Sequence, residues 1–354
     1  MKLTDDWFLE GVSQERRVLQ FALYAMYLAN GNSIYGRPLK SGTIEAYLRA
    51  AATMIMIHCG RDPRFNSVTD TSYSPRINAV LEELRRVEKM PERMEPYTVA
   101  MHETLLKMIE EEGAHPDGLL CAAKNWNACN LSMGGRMQEY AQEDKNKEIK
   151  KHAMADNNTP RAFTLRDITL FDARNRKVNI RRFLRNKNLV HRIEMRWSWQ
   201  KNLDNGQKLS YERNLDYPEF CFVNNMWEIL CRYNRLHNIN DLDTPVAMFC
   251  EKNGKGKKRY LYSSALANLI KKVAIATYNL DPDVDLIKYG THSLRVGACV
   301  ALHQAGCSQL QLQFLLRWRS TAFFNYLRKV ARLSQVQNAA LSLAAGSLNI
   351  NAIA

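Results

Sequence analysis

Thr291-His292-Ser293-Leu294-Arg295 opens a stretch of helical sequence in the last third of the chain. His292 and Arg295 are three positions apart, so they share one face of that helix. A second cluster, Arg317-Trp318-Arg319-Ser320, and then Tyr326 follow on what reads as further helix. Side chains of these types could hold and attack a phosphate, which makes the remaining sequence the place to look for their partners.

The overall charge favours the same interpretation. The chain of 354 residues has a formal net charge of +14, with 46% hydrophobic and 24% charged residues. The length suits two domains, and the composition is ordinary for a soluble globular protein. The excess of positive charge favours polyanionic partners, because each phosphate contact releases condensed counterions. A merely basic soluble protein is the alternative.

Cysteine usage and apolar patterning limit the class of protein. The eight cysteines form no Cys-x-x-Cys pair, so a zinc-ribbon or zinc-finger site has no support. Free thiols in apolar helical contexts indicate a reducing compartment. The start, Met1 to Asp6, has acids where a signal peptide has an apolar core, and the best apolar run, Ala50 to Ile57, is too short to span a bilayer. We therefore expect an intracellular protein with no membrane partner and no small-molecule cofactor.

Helical periodicity dominates the first part of the chain. Apolar residues recur at helical spacing from Ser13 to Asn30 and from Thr43 to Gly60, and Ser74-Pro75 begins a third helix. These helices predict an all-helical domain over residues 1–90. The polar stretch around Met90 to Pro96 contains two prolines and predicts a linker at 91–97, which leaves 98–354 as the second domain.

The second domain adds a small sheet to more helices. Alternating apolar residues predict a strand over Leu189 to Trp199, a turn at Asp204-Asn205-Gly206 and a returning strand from Gln207 to Tyr211, and Thr164 to Phe171 is partly strand-like. The fold class is therefore mainly α with a small antiparallel β-sheet. Helices are expected over Thr98 to Ile109, Leu119 to Ala141, Phe220 to Leu236, Ser263 to Tyr278, Thr291 to His303, Ser308 to Leu316 and Thr321 to Leu333. The tail, Ala339 to Ala354, is weakly amphipathic and could dock on a partner.

Metal-free cleavage of a DNA phosphodiester defines what to look for. A nucleophile attacks phosphorus, and a base takes its proton, because a tyrosine hydroxyl has a pKa of about 10. Cations stabilise the charge of the transition state, and an acid protonates the leaving oxygen. Tyr326, His292 and Arg295 could fill three of these roles, with a lysine and a further arginine still required.

The residues of these motifs and their order resemble those of the tyrosine recombinases, the phage-integrase-like family. His292-Ser293-Leu294-Arg295 with Arg317 to Tyr326 is similar to the family's C-terminal box, closest in wording to the eukaryotic Crypton and DIRS-type mobile-element recombinases. The family places its first arginine inside a helix, three residues before an acid, and Arg136 with Glu139 fits. Its lysine lies on a β-hairpin, and Lys201 fits. The resemblance covers nearly the whole chain.

The resemblance implies a fold, a reaction and an assembly. It implies a helical, SAM-like core-binding domain at 1–90 and a catalytic domain at 98–354. It also implies a site-specific recombinase for DNA integration or exchange, acting on double-stranded DNA through a 3′-phosphotyrosyl intermediate in a synaptic tetramer. Tyr326 would be the nucleophile, His292 the base and Lys201 the acid, with Arg136 and Arg295 on the phosphate and Trp318 in support. The C-terminal tail after Tyr326 would be exchanged between protomers. In a eukaryotic host the protein would be located in the nucleus.

Each residue also has an ordinary explanation. A His-x-x-Arg pair occurs in many helices, Arg136 could simply pair with Glu139, and Lys201 beside a turn is usually a solvated lysine. Tyr326 could be a core aromatic. The five residues in this order, on these element types, carry the hypothesis, whereas any one of them alone does not.

Two assignments stay open. The family places a phosphate-contacting histidine or tryptophan nine residues before the tyrosine; here that position is Arg317, and Trp318 is eight before it. Trp318 is favoured because its indole NH can donate to a phosphate, and Arg317 is the alternative. Basic stretches could contact DNA or could be solvated faces, and they contain Arg181, Arg182, Arg185, Lys257 and Lys258.

Two other functions remain compatible with the sequence. A type IB topoisomerase uses the same chemistry as a monomer, although the compact two-domain plan argues against it. A domesticated DNA-binding protein would keep the fold without cutting, and its mark would be the loss of catalytic residues.

Overall fold

The structure is a computed structural model that describes residues 9, 11–34, 36–67, 69–88, 93–155, 160–201, 204–318 and 323–327, without the side chains of residues 325 and 326. The chain divides into two compact units, Met1–Pro91 and Glu92–Ala354.

The first unit is built from three helices, α1 (Gln14–Ala29), α2 (Ser41–Cys59) and α3 (Pro75–Val87). Local chemistry sets their ends. The Ser13 hydroxyl accepts a hydrogen bond from the first turn of α1, Gly60 ends α2 in the left-handed region, and Ser74 caps α3. The three helices predicted by the periodicity are confirmed, and the described part of this unit contains no strand.

One apolar core holds the three helices together. Ile44, Leu48, Ile77 and Leu81 are fully buried, at the spacing of three to four residues that places them on one helical stripe. Burial of each such side chain stabilises the unit by roughly 1.5–3 kcal/mol. The same periodicity therefore predicted most of their core face, although Leu19, Met54 and Val87 continue the pattern and are exposed.

The second unit contains more helices than the first, and several of them are short. Trp126 stacks on Tyr140 with ring centroids 5.3 Å apart, inside a core that extends over most of the unit. Among the described residues, no helix is both long and apolar enough to cross a bilayer. The helices are α4 (Val99–Glu111), α5 (Leu119–Met133), α6 (Met137–Tyr140), α7 (Ile180–Arg185), α8 (Phe222–Leu236), α9 (Glu251–Gly254), α10 (Ser263–Tyr278), α11 (His292–Gln304), α12 (Gln309–Leu316) and α13 (Phe324–Leu327).

Two small antiparallel sheets accompany these helices. β1 (Ile168–Phe171), β2 (Arg192–Arg196) and β3 (Lys208–Glu212) form a three-stranded sheet in that order. β4 (Met248–Cys250) pairs with β5 (Lys258–Tyr260) in a second sheet that the sequence did not predict. The fold class, mainly α with small antiparallel sheet, is confirmed.

The structure corrects one predicted helix. A continuous helix from Leu119 to Ala141 would have placed Arg136 in its interior. Instead α5 ends at Met133, because Gly134 adopts a left-handed φ of 54°. The chain then enters the single turn of α6, and Arg136 is the extended residue directly before it.

Two further differences concern the ends of elements. The strand predicted over Leu189 to Trp199 is limited to β2, and Trp197 begins a loop. The helix predicted from Thr321 to Leu333 is described only at α13. Its remaining residues, and the tail from Ala339 to Ala354, lie outside the described residues.

Candidate active site

Arg136 occupies a sharp bend between α5 and α6. The left-handed φ of Gly134 favours glycine at this bend, and a Cβ there would lie 2.2 Å from Leu316 Cδ2, so that this side chain of α12 would have to move. The Arg136 amide donates to Glu139 Oε2 at 3.0 Å, and its Nη1 donates to Glu139 Oε1 at 3.1 Å. One carboxylate thus fixes both the backbone and the side chain of Arg136, which keeps a partly exposed guanidinium.

Glu139 is the centre of a buried polar cluster. Besides Arg136, its Oε2 accepts from Trp197 Nε1 at 3.0 Å and from Arg317 Nη2 at 2.8 Å, and the residue is fully buried. Burial raises the pKa of this carboxyl, but the charges of Arg317, Arg295 and Arg136 outweigh burial, and the pKa lies below its ordinary value. Glu139 is therefore an ionised carboxylate in the interior.

Arg295 links two segments that are distant in sequence. Its Nη1 donates to the carbonyl of Gly134, and its Nη2 donates to the carbonyl of Leu316 at 2.6 Å. The guanidinium also lies over the Trp318 ring, 4.9 Å from the centroid. Arg295 thereby brings the start of α11, the Arg136 bend and the end of α12 together.

His292 is the first residue of α11 and remains exposed at the surface. The surrounding protein, followed by the positive charges of Arg295 and Arg136, lowers the pKa of its imidazole. Both arginines are therefore near enough to act on the histidine. A lowered pKa keeps the imidazole neutral near pH 7, as a proton acceptor must be.

Arg317 and Trp318 face in different directions. Arg317 ends α12 with a left-handed φ of 55°, and its side chain is 1% exposed. Its Nη1 donates to the Met133 carbonyl at 3.0 Å, and its Nη2 reaches Glu139. Trp318 is half-buried and stacks on Phe323 with centroids 5.5 Å apart. The neighbour that reaches the surface is thus Trp318.

Lys201 lies in the loop between β2 and β3, exposed to solvent, and is not part of a strand. The loop is nonetheless ordered by its own side chains: the amide of buried Gln200 donates to Asn205 Oδ1 at 2.7 Å, and Gln200 Nε2 donates to the Asp204 carbonyl at 2.6 Å. A cleft of about 460 Å³ separates this loop from the end of α12, and its lining includes Asp204, Asn205, Gln207, Gln313, Phe314, Arg317 and Trp318.

Besides Tyr326, the sequence contains a second tyrosine near the His292 helix, Tyr289, which is a possible nucleophile by residue type alone. Tyr326 belongs to α13, and its side chain lies outside the described residues. Tyr289 is buried, and burial followed by the charges of Glu95, Tyr278 and Asp285 raises its pKa to about 12. A raised pKa makes the phenolate harder to form, so Tyr289 is poorly suited to nucleophilic attack.

The predicted DNA-contacting residues are all exposed. Arg181, Arg182 and Arg185 lie on the short helix α7, and Arg181 Nη2 donates to Asn240 Oδ1 at 2.6 Å. Lys257 precedes β5, and Lys258 begins it and donates from Nζ to the Leu236 carbonyl at 2.9 Å. Phosphate contact at these positions stays a prediction.

Sequence reasoning missed the role of Trp197. Its alternation with Ile193 and Met195 assigned it to a strand, whereas the structure has it buried at the start of the loop after β2. The alternation gave no sign of its hydrogen bond to Glu139. The sequence did contain one indication, a tryptophan at the apolar end of the predicted strand. A tryptophan at that place needs a partner for its indole NH, and Glu139 was the acid already singled out.

Comparison with known proteins gives structural neighbours only. No protein-family model matches the sequence, and no curated protein matches it. The structure is similar to that of the Tn1549 transposon integrase in complex with circular intermediate DNA, at 16% identity and a TM-score of 0.40, over 90% of this chain and 81% of that one. It is also similar to the XerH site-specific recombinase bound to its difH substrate, at 13% identity and a TM-score of 0.38, over 92% of this chain and 96% of that one.

Proposed function

We propose that the protein is a tyrosine recombinase that cleaves and rejoins DNA strands through a 3′-phosphotyrosyl intermediate. The observation that carries this proposal is the double contact of Arg295 with the carbonyls of Gly134 and Leu316. Through it, the Arg136 bend and the segment that leads to Tyr326 meet at the start of the helix that carries His292. Convergence of these motifs supports one shared site.

The proposed roles follow from the chemistry of each group. Tyr326 attacks the scissile phosphorus and displaces a 5′-oxygen, and the neutral imidazole of His292 accepts the phenol proton. Arg136 and Arg295 stabilise the charge that accumulates on the non-bridging oxygens, supported by the indole NH of Trp318. Lys201 protonates the leaving oxygen. Reversal of the same steps with another 5′-hydroxyl rejoins the strands, because the phosphotyrosyl bond retains the energy of the phosphodiester.

Double-stranded DNA is the proposed partner of both units. The net charge of +14 supports a polyanionic partner, and exposed cations such as Arg182 and Lys257 are available on the second unit. The first unit acts in this proposal as the helical core-binding domain, with residues 91–97 as the linker. Exchange between paired sites requires several protomers, so the proposed active assembly is a tetramer in which the C-terminal tail connects protomers.

The residue sequence of the motifs also supports a proposal about the biological role and the cellular location of the protein. Its similarity to Crypton and DIRS-type recombinases supports a mobile-element enzyme that acts inside the cell, in the nucleus of a eukaryotic host.

The test is capture of the covalent intermediate. The protein is incubated with a pool of duplexes of randomised sequence, each nicked so that cleavage releases a short strand and cannot be reversed. We expect a protein–DNA adduct that survives denaturing electrophoresis and disappears in Tyr326→Phe. Sequencing of the captured strands gives the target sequence.

The products distinguish the alternatives. Joining of strands from two different duplexes supports recombination, whereas relaxation of supercoiled DNA without exchange identifies a type IB topoisomerase. Tight DNA binding without any adduct, in wild type as in Tyr326→Phe, contradicts the cutting proposal and indicates a non-cleaving DNA-binding protein.

A further inference from the structure

The side chain of Arg317 is buried, and both of its terminal nitrogens are hydrogen-bonded inside the protein. Its Nη1 and Nη2 donate to the Met133 carbonyl and to Glu139 Oε2, at 3.0 and 2.8 Å, and both partners of the ion pair are 1% exposed. The charge of Arg317 is already paired with a carboxylate, whereas Arg295 donates to uncharged carbonyls. Arg317 therefore cannot reach a DNA phosphate unless its ion pair breaks, which would leave the Glu139 carboxylate buried without its closest cation.

The same guanidinium lies on the ring of Trp197. Its Cζ is 4.0 Å from the ring centroid, and the Trp197 indole donates to the oxygen of Glu139 that Arg317 also contacts. Trp197 in turn closes the loop that carries Lys201: its amide donates to the Gln207 carbonyl at 2.8 Å, and its carbonyl accepts from Gly206 at 2.7 Å. The loop is thus attached to the cluster at its base.

Arg317 also controls the chain direction after α12. Its left-handed φ of 55° turns the backbone at the end of the helix, so that the next residue, Trp318, stacks under the Arg295 guanidinium. For a residue other than glycine this conformation is unfavourable and must be held by surrounding contacts. The buried pair with Glu139 and the stack on Trp197 supply such contacts.

We propose that Arg317 is a positioning residue that joins the Arg136 bend, the Lys201 loop and the segment leading to Tyr326 through one buried cluster with Glu139 and Trp197. What these three segments do rests on the proposed function; that Arg317 holds them in register does not. The phosphate contact at this corner of the site then belongs to Trp318.

Hydrogen exchange tests the positioning role without reference to cutting. In Arg317→Lys, a single ammonium replaces the planar fork and cannot serve both the Met133 carbonyl and Glu139. We expect faster amide exchange at Met133 to Tyr140 and at Trp197 to Gln207, by about tenfold or more, which corresponds to a local opening made easier by a factor of ten. The control is Arg235→Lys, which alters another arginine–carboxylate pair, with Asp117, in the same unit, and should leave both segments unchanged.

Salt dependence of DNA binding separates positioning from phosphate contact. Removal of a phosphate ligand lowers the slope of log Kd against log salt by about one. With a random-sequence duplex as probe, Arg317→Met should keep the wild-type slope, as should Arg235→Met. If Arg317→Met does not fold, the same slope is measured on Arg317→Gln and the exchange experiment on Arg317→Lys decides.

A third measurement links the cluster to the reaction. Once a cleavable duplex is known, Arg317→Lys should form the covalent adduct about 100-fold more slowly at saturating DNA, the effect of a misplacement of about 1 Å, with Kd changed less than about twofold. A drop in salt slope with unchanged exchange would make Arg317 a phosphate ligand and overturn the proposal. Unchanged exchange at both segments would overturn it as well. A wild type that never forms an adduct refutes the proposed function alone, since the exchange result still decides this one.

Discussion

Gly297 lies inside α11, two residues after Arg295, where the helix is crossed by the chain that enters the second unit. A Cβ at this position would lie 2.2 Å from the Tyr97 carbonyl oxygen and 3.2 Å from the Tyr97 nitrogen. Both atoms belong to backbone, so they cannot rotate away as the end of a side chain could. Gly297→Ala must therefore displace either the segment around Tyr97 or the helix that carries His292.

Two opposing effects determine how much Gly297→Ala changes the free energy of unfolding. Alanine inside a helix is ordinarily favoured over glycine by about 1 kcal/mol. Overpacking costs about 1–3 kcal/mol, and displacement of Tyr97 also breaks the hydrogen bond from its amide to the Ser293 carbonyl, 2.8 Å long, worth about 1 kcal/mol. The propensity gain offsets the lost hydrogen bond, so we expect Gly297→Ala to lower the free energy of unfolding by about 1–3 kcal/mol.

Urea unfolding followed by tryptophan fluorescence measures this change. Five of the six tryptophans belong to the second unit, so the signal reports on the unit that contains Gly297. The control is Gly42→Ala in α2, where no atom lies within 4 Å of the added Cβ, and which should be neutral or slightly stabilising by circular dichroism. If Gly297→Ala is as stable as wild type, the segment around Tyr97 does not pack on α11 as described.

Further predictions concern titration and the leaving group. His102 is fully buried, and burial followed by the charge of Lys124 lowers its pKa to about 4. The unfolded chain, with a pKa of about 6.5, then binds a proton that the folded protein does not, so stability should fall by up to about 3 kcal/mol as pH drops from about 6.5 to about 4, and His102→Phe should flatten this dependence in urea unfolding. Because the pKa of His292 is lowered, the rate of adduct formation should stay constant from pH 8 to about 6.5 and decline only at lower pH; a decline that begins above pH 7 would contradict its role as base. Lys201→Ala should slow adduct formation by about 100-fold or more on an ordinary nicked duplex, and a 5′-bridging phosphorothiolate duplex, whose leaving group needs no proton, should restore the rate; no restoration would exclude Lys201 as the acid.

The sequence predicted the first unit well because its signals are local. Ser13, Gly60 and the Ser74-Pro75 pair act on the neighbouring turn, and most of the apolar stripe of each helix is buried. The same applies to α10 and α11, whose observed ends lie within a residue of those expected. Where a helix end depends on a cap or on a glycine in the left-handed region, the information lies within a few residues of the end.

The bend at Gly134 shows where local signals are insufficient. Gly134-Gly135 interrupts a stretch whose apolar spacing continues to Ala141, and a glycine within a helical pattern is tolerated often enough to be ambiguous. The helix ends because Gly134 takes the left-handed conformation, and Leu316, a residue far along the chain, packs against it there. No pattern within α5 contains that contact, so the position of Arg136 before a helix could not be inferred.

The side-chain directions of Arg317 and Trp318 depend on a left-handed backbone conformation at Arg317, which is uncommon for a residue other than glycine. Counting positions back from Tyr326 assumes that both residues continue a regular path. Arg317 instead takes the left-handed conformation usually left to glycine, and its side chain turns inward to Glu139. Trp318 is half-buried and stacks on Phe323. Which of the two contacts a phosphate stays a prediction.

The buried cluster around Glu139 has a geometric rather than a stabilising value. Taking a carboxylate and a guanidinium out of water is costly, and well-packed apolar residues in place of a buried ion pair are often as stable. An apolar core, however, would not specify where three separate segments meet, since dispersion contacts have no direction. Glu139 accepts hydrogen bonds from the bend at Arg136, from Trp197 at the base of the Lys201 loop and from Arg317 before the segment that leads to Tyr326. A site assembled from distant parts of the chain requires directional bonds. The Glu139 carboxylate provides them, because it accepts hydrogen bonds from three segments.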